Sequence, residues 1–167
     1  MQSESLVIRR AEEGDAYQII RLVKQVIKES PFFERTPEEF NFTVEDEQEY
    51  IKNTELFIVV EVDGKIVGSA TLKRSSLSML RHTALFGITI LKEYSGKGIG
   101  SLIIKRVFEW AEENAIEKID LEVFHDNFKA ISLYKKFGFI EEGRKKNAIK
   151  AEDGYKDLVL MGRFSKA

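Results

Sequence analysis

The chain has 167 residues, a formal net charge of −2, two histidines and no cysteine, so a disulfide scaffold, a thiolate zinc site, a cysteine nucleophile and a histidine-built metal centre are all excluded and no metal is expected. Its 43% hydrophobic residues, with twelve phenylalanines, five tyrosines and one tryptophan, suffice to fill the core of one domain spanning 1–167. The near-neutral charge argues against sequence-independent nucleic-acid binding, no apolar run approaches the ~20 residues that cross a bilayer, and Met1-Gln2-Ser3-Glu4 does not read as a signal peptide; the expectation is a cytoplasmic protein with neither a nucleic-acid nor a membrane partner.

Ser5 to Arg10 alternates as a strand with Leu6 and Ile8 on one face. Gly14-Asp15 offers an N-cap for a helix through Lys28, whose Ile19, Leu22, Val23, Val26 and Ile27 fall at helical spacing before Pro31 ends it. Residues 32–44 are irregular and carry Phe32, Phe33 and Phe40; Thr43 to Asn53 is an acidic, short helix. Leu56 to Val62 is a strand, Asp63-Gly64 a hairpin turn, Lys65 to Leu72 the returning strand and Arg81 to Leu91 a third. A helix over 98–114 follows, with Leu102, Ile103, Val107, Phe108 and Ala111 on its apolar face. Ile116 to Phe124 is a strand, and Asn127 to Phe137 a helix with Ala130, Ile131, Leu133 and Tyr134 inward, stopped by Gly138. Phe139 to Lys145 and Tyr155 to Gly162 are two strands joined across Asp153-Gly154. This order, β-α-(α)-β-β-β-α-β-α-β-β, predicts an α+β or α/β domain with a mixed sheet.

The most telling stretch is Ser95-Gly96-Lys97-Gly98-Ile99-Gly100, a glycine-rich turn between a strand and a helix. The opening N–H groups of a helix lack internal partners, the helix dipole adds positive character there, and glycine lets the backbone approach an anion closely. The turn alone is compatible with a structural role, with a phosphorylated ligand, and with a dinucleotide fold, since Gly96-x-Gly98 follows a strand and Asp120 lies about twenty residues on. Ser101 in place of a third Gly or Ala counts against the dinucleotide reading, and no nucleoside-triphosphate loop is present.

Two blocks carry a resemblance: Ile88 to Gly100, which looks like an R/Q-x-x-G-x-G/A loop, and Leu121-Glu122-Val123 through Asn127, Ala130, Leu133-Tyr134 and Gly138-Phe139, which looks like E-V-x-x-x-N-x-x-A-x-x-L-Y-x-x-x-G-F. The chain thereby resembles the GCN5-related N-acetyltransferase superfamily, similar to its ribosomal-protein and small-amine branch, in element order over essentially its whole length. The resemblance implies a central mixed, mostly antiparallel sheet of six to seven strands with about four helices, acetyl-CoA as cosubstrate, and a primary amine as acceptor. A homodimer is common in that family. Ser95 stands where Arg or Gln is usual, which removes one side-chain contact to the pyrophosphate and leaves the backbone donors.

In this reading Ser95, Gly96, Lys97, Gly98, Ile99, Gly100 and Ser101 hold the pyrophosphate, and the backbone of Ile88, Thr89 and Ile90 pairs with the pantetheine amides as a strand would. Asn127 is both a helix cap and a holder of the pantetheine arm, and one side chain must choose. Tyr134 is expected as general acid to the leaving thiolate and Glu122 as general base to an ammonium of pKa about 10. Glu122 is also compatible with a solvated carboxylate on a half-exposed strand face, and Tyr134 with plain core packing. His82, His125, Lys129 and Asp157 are weaker candidates, with His125 read as a solvated turn residue. The acidic run Glu45-Asp46-Glu47-Gln48-Glu49 reads as a solvated helical face or, by the resemblance, an acceptor-binding wall. A non-catalytic acetyl-CoA-binding module is the alternative function.

Overall fold

The computed structural model describes residues 5–165. They fall into two compact units, one of residues up to Lys73 with Gly87–Ile103, the other of Arg74–Phe86 with residues from Ile104 onward. The first contains β1 (Leu6–Arg10), α1 (Ala16–Glu29), α2 (Val44–Asn53), β2 (Leu56–Val62) and β3 (Lys65–Arg74), and receives the second half of β4 (Thr83–Ile90) and the first turn of α3 (Ile99–Glu113). The second holds the rest of β4 and α3 together with β5 (Lys118–Phe124), α4 (Phe128–Lys136), β6 (Ile140–Ala151) and β7 (Gly154–Phe164).

In the first unit the strands run β1-β2-β3-β4. Strand β2 is apolar on consecutive positions because both its faces are covered: Leu56, Ile58, Val59 and Val60 are all buried. Asp63 and Gly64, both at positive φ, close the β2–β3 hairpin as the sequence predicts. Helix α1 buries Ile19, Ile20, Leu22, Val26 and Ile27, and Phe40 packs on Ile20 and Ile27 with Phe33 and Phe42 beside it. The start of α1 differs from expectation. Asp15 makes no side-chain cap bond; its carboxylate takes a forked pair of bonds from Arg9 at 2.8 and 2.9 Å and one from the Glu12 amide. A charge-assisted fork outcompetes a single cap bond for the same oxygens.

The second unit has the order β4-β5-β7-β6. The β4–β5 ladder is parallel, while β1–β2, β2–β3, β5–β7 and β6–β7 are antiparallel. The seven strands and four α-helices seen among the described residues therefore make the mixed, mostly antiparallel architecture anticipated. Strand β6 carries irregularities between Glu141 and Gly143 and between Lys145 and Ile149, with Asn147 at positive φ in the second. Two helix faces differ from what the sequence suggests. Leu102 on α3 is 43% exposed while Ile104 takes a buried place, and on α4 only Tyr134 is fully buried, with Ala130, Ile131 and Leu133 half-buried. No helix among the described residues is long and apolar enough to cross a membrane.

Candidate active site

The glycine turn belongs to the first unit. Strand β4 ends at Ile90, a short 3-10 turn over Lys92–Tyr94 follows, and Ser95 closes it with both its amide and its hydroxyl donating to the Lys92 carbonyl, the hydroxyl at 2.6 Å. The turn is pinned from α1 by Glu29, which accepts the Lys92 amide at 2.6 Å. Gly96 and Gly98 then adopt φ of +74° and +83°, with nothing within 4 Å of where a Cβ would stand. Their role is thus conformational, and their outer side is open. The Leu102 amide closes on the Gly98 carbonyl, so the amides just before it begin the helix. Ser95 does not replace the missing Arg or Gln, because its hydroxyl is spent on the turn.

Strand β4 leads into this turn. Its ladder with β5 spans only Thr83–Leu85 against Lys118–Asp120, while the strand itself continues to Ile90. Ile88, Thr89 and Ile90 are half-buried, and the Thr89 hydroxyl shares a 2.6 Å hydrogen bond with Ser69. On the β3 side the approach is close: a Cβ at Gly68 would stand 3.2 Å from the Thr89 carbonyl oxygen.

Glu122, Asn127 and Tyr134 lie in the second unit. Alternation along β5 turns Ile119, Leu121 and Val123 into the core and leaves Glu122 on the other, open face. There Lys145 of β6 donates to the Glu122 carboxylate at 2.9 Å, a partner the sequence pattern did not reveal because β6's irregular register hides which of its residues share that face. Asn127 is the N-cap of α4, its Oδ1 accepting from the Ala130 amide at 3.4 Å, a long bond that holds the side chain loosely. The Tyr134 ring meets Phe86 edge-on at 6.3 Å and Phe139 at 5.8 Å. Among the described residues no hydrogen bond engages its hydroxyl, and burial pushes its pKa up to about 12. Tyr134 is therefore a protonated donor throughout the accessible pH range, a weaker acid than an exposed phenol.

His125 is not a solvated turn residue. Its amide donates to the Asp157 carbonyl, and its Nδ1 accepts the Asp157 amide at 3.0 Å, which puts the ring proton on Nε2. The Asp157 carboxylate in turn accepts the Asn147 amide at 2.8 Å in the β6 irregularity, and that bond, with Lys146, His125 and Arg144 nearby, holds its pKa below the usual carboxylate range. Lys129 is exposed, and the His82 carbonyl accepts the Glu117 and Lys118 amides. Of the acidic run in α2, Glu45, Asp46 and Glu49 are exposed but Glu47 is 3% exposed, and burial pushes its pKa up to about 7. Among the described residues no three His, Asp or Glu side chains gather as a metal site.

A model of the acetyltransferase (GNAT) family matches residues 21–139. The chain belongs to the acetyltransferase (GNAT) family. This is a family of acyltransferase enzymes that draw on acetyl-CoA. The chain is 32% identical over 107 residues to the L-amino acid N-acetyltransferase of Escherichia coli (strain K12), covering 64% of this chain and 66% of that protein. It is 28% identical over 167 residues to the spermidine N(1)-acetyltransferase of Vibrio cholerae, covering 95% of this chain and 92% of that protein. It thus spans just under two thirds of the first relative and nearly all of the second. The crystal structure of a GNAT-family acetyltransferase from Streptococcus pneumoniae matches at a TM-score of 0.91 with 28% identity, over 96% of this chain and 99% of that one. The GNAT fold anticipated from the two sequence blocks is the fold this chain has.

Proposed function

We propose that this GNAT-family chain moves the acetyl group of acetyl-CoA to a primary amine, of a small molecule or of a protein or peptide, by direct attack in a ternary complex. The observation that carries the reading is β4: a strand that runs on past its three-pair ladder and ends in an open glycine turn at a helix N-terminus. A strand edge suits the amides of a pantetheine arm, and helix-opening amides suit its pyrophosphate. In this reading Ile88, Thr89 and Ile90 align the arm and residues 95–101 hold the phosphates. The 3.4 Å cap at Asn127 is weak enough for its side chain to turn to the cofactor.

The chemistry needs a proton taken from the acceptor ammonium and one given to the departing sulfur. Glu122, exposed on its strand face, takes the first. Tyr134, neutral and without a competing hydrogen bond, donates to the sulfur as the C–S bond breaks. Burial that pushes the phenol up to about 12 would mismatch it with a thiolate in water, of pKa about 8.5, but the same burial disfavours a thiolate beside it, so hydrogen bonding from Tyr134 stabilises the developing charge and transfer accompanies cleavage. The lack of cysteine suits both a direct mechanism and a cytoplasmic setting. A homodimer belongs to the same proposal and is read by sedimentation.

The test is release of CoA thiol on mixing acetyl-CoA with a panel of amino acids, polyamines and peptides. Turnover with at least one acceptor is expected, and Tyr134→Phe lowers its maximal rate by roughly 10²-fold or more with little change in cofactor affinity. Tight cofactor binding by calorimetry with no turnover across the panel would establish the non-catalytic reading instead.

A further inference from the structure

The Glu122 carboxylate already has an ammonium on it. Lys145 Nζ stands 2.9 Å from Glu122 Oε1, with the two side chains 56% and 40% exposed. The register explains how it gets there. Glu122 of β5 pairs with Leu160 of β7, and Leu160 with Gly143 of β6, so the β6 position in line with Glu122 has no side chain. Lys145, paired with Leu158 on the same face, reaches across β7 into that vacant slot.

Other lysines of this unit are held differently. Lys118 bridges Asp120 at 3.0 Å and Glu142 at 2.9 Å, and Lys156 bridges Asp126 at 2.7 Å and Asp153 at 3.3 Å. Those bonds raise the pKa of both ammoniums, and neither lysine pairs with Glu122. Among the described residues Lys145 meets one carboxylate, and that carboxylate is the group assigned to deprotonate acceptors.

We propose that Lys145 is an acetyl acceptor within its own chain, so that the enzyme acetylates itself and thereby uncovers Glu122. The inference rests on the acetyl-transfer reading above. Glu122 takes a proton from the Lys145 ammonium. The freed nitrogen lone pair attacks the thioester carbonyl carbon of acetyl-CoA, an N–C bond forms, and the C–S bond breaks with its electron pair leaving on sulfur. Of the two protons that the nitrogen loses, one ends on the CoA thiol and the other goes to solvent. The product amide carries no charge, so it gives up the ion pair and leaves the Glu122 carboxylate to an external ammonium. Before that event, Lys145 competes with every cationic acceptor for the same oxygen.

The experiment incubates the full chain with acetyl-CoA alone and follows acetylation by intact mass and peptide mapping, with the amine panel run in parallel. Expected is one acetyl group per chain, on Lys145, at a rate independent of protein concentration and at least about tenfold above that at the exposed Lys24 and Lys150, an excess that Tyr134→Phe removes. Labelling of Lys145 no faster than those two lysines, or undiminished in Tyr134→Phe, overturns the inference. Turnover of panel amines with Lys145 unlabelled overturns it too, while leaving acetyl transfer standing. No CoA release and no cofactor-dependent rise in melting temperature sinks the reading beneath it as well. Lys145→Gln, neutral and at an exposed position, is expected to raise kcat/KM for a cationic acceptor several-fold. A merely structural Lys145 would instead lower the melting temperature and leave kcat/KM unchanged.

Discussion

Glu47 offers a sharp stability test. It sits one turn before the buried Ile51 on α2, is 3% exposed, and burial moves its pKa from 4.5 to about 7, with no salt bridge to it among the described residues. Between those values the folded chain binds a proton that the unfolded chain has lost. Stability from this group is therefore fully present below about pH 4.5 and falls as pH rises towards about 7. The interval corresponds to about 3 kcal/mol. Glu47→Gln keeps the shape and removes the titration. In urea unfolding across pH 4–8, the variant should exceed the parent by about 2–3 kcal/mol at pH 8, about 5–10 °C in melting temperature, and match it near pH 4.5. Asp15, whose pKa is lowered chiefly by its bond to Arg9, works in the opposite sense, but it is common to both proteins and cancels in the difference. A difference that stays constant with pH would refute the assignment of the cost to ionisation.

Two backbone positions give further outcomes. Gly68→Ala places a Cβ 3.2 Å from the Thr89 carbonyl, so it should cost about 1–3 kcal/mol in chemical denaturation and weaken acetyl-CoA binding by calorimetry through a displaced β4. Ala115 follows α3 at φ +59°, a conformation that penalises a Cβ; Ala115→Gly should raise the unfolding free energy by about 1 kcal/mol without changing cofactor affinity.

The strands and the glycine turn were legible because they are written locally: alternation in β1 and β5, a continuous apolar run in β2, Asp63-Gly64 at a hairpin, and glycines where φ must be positive. What escaped depends on contacts between elements. Asp15 has the chemistry of a cap, but Arg9 of β1, six residues earlier, takes its oxygens. Glu47 is indistinguishable in sequence from its acidic neighbours until the rotation of α2 is fixed by Ile51. Lys145 was invisible because two register shifts in β6 decide which of its side chains share Glu122's face, and a one-residue slip reverses that outcome. Tyr134 and Glu122 were legible as residue types at a family spacing; the burial of one and the ion pair of the other were not.

The geometry of β5 also separates the two proton transfers in the proposed reaction. Ile119 packs in an apolar layer with Phe86, Phe108 and Phe139, and Tyr134 packs on two of those rings. Glu122, an odd number of residues away along the strand, points to the opposite face. Proton removal from the acceptor and proton delivery to sulfur are thus assigned to opposite sides of one strand, so the two functions can be lost independently. Glu122→Gln should cripple turnover near neutral pH and recover as pH approaches about 10, where the amine deprotonates without help. Tyr134→Phe should show no such recovery, because the sulfur still lacks its donor at every pH. The parent enzyme's rate should not fall on the alkaline side through ionisation of Tyr134 below about pH 12. Alkaline rescue of both variants, or of neither, would show that Glu122 and Tyr134 do not divide the proton work in this way.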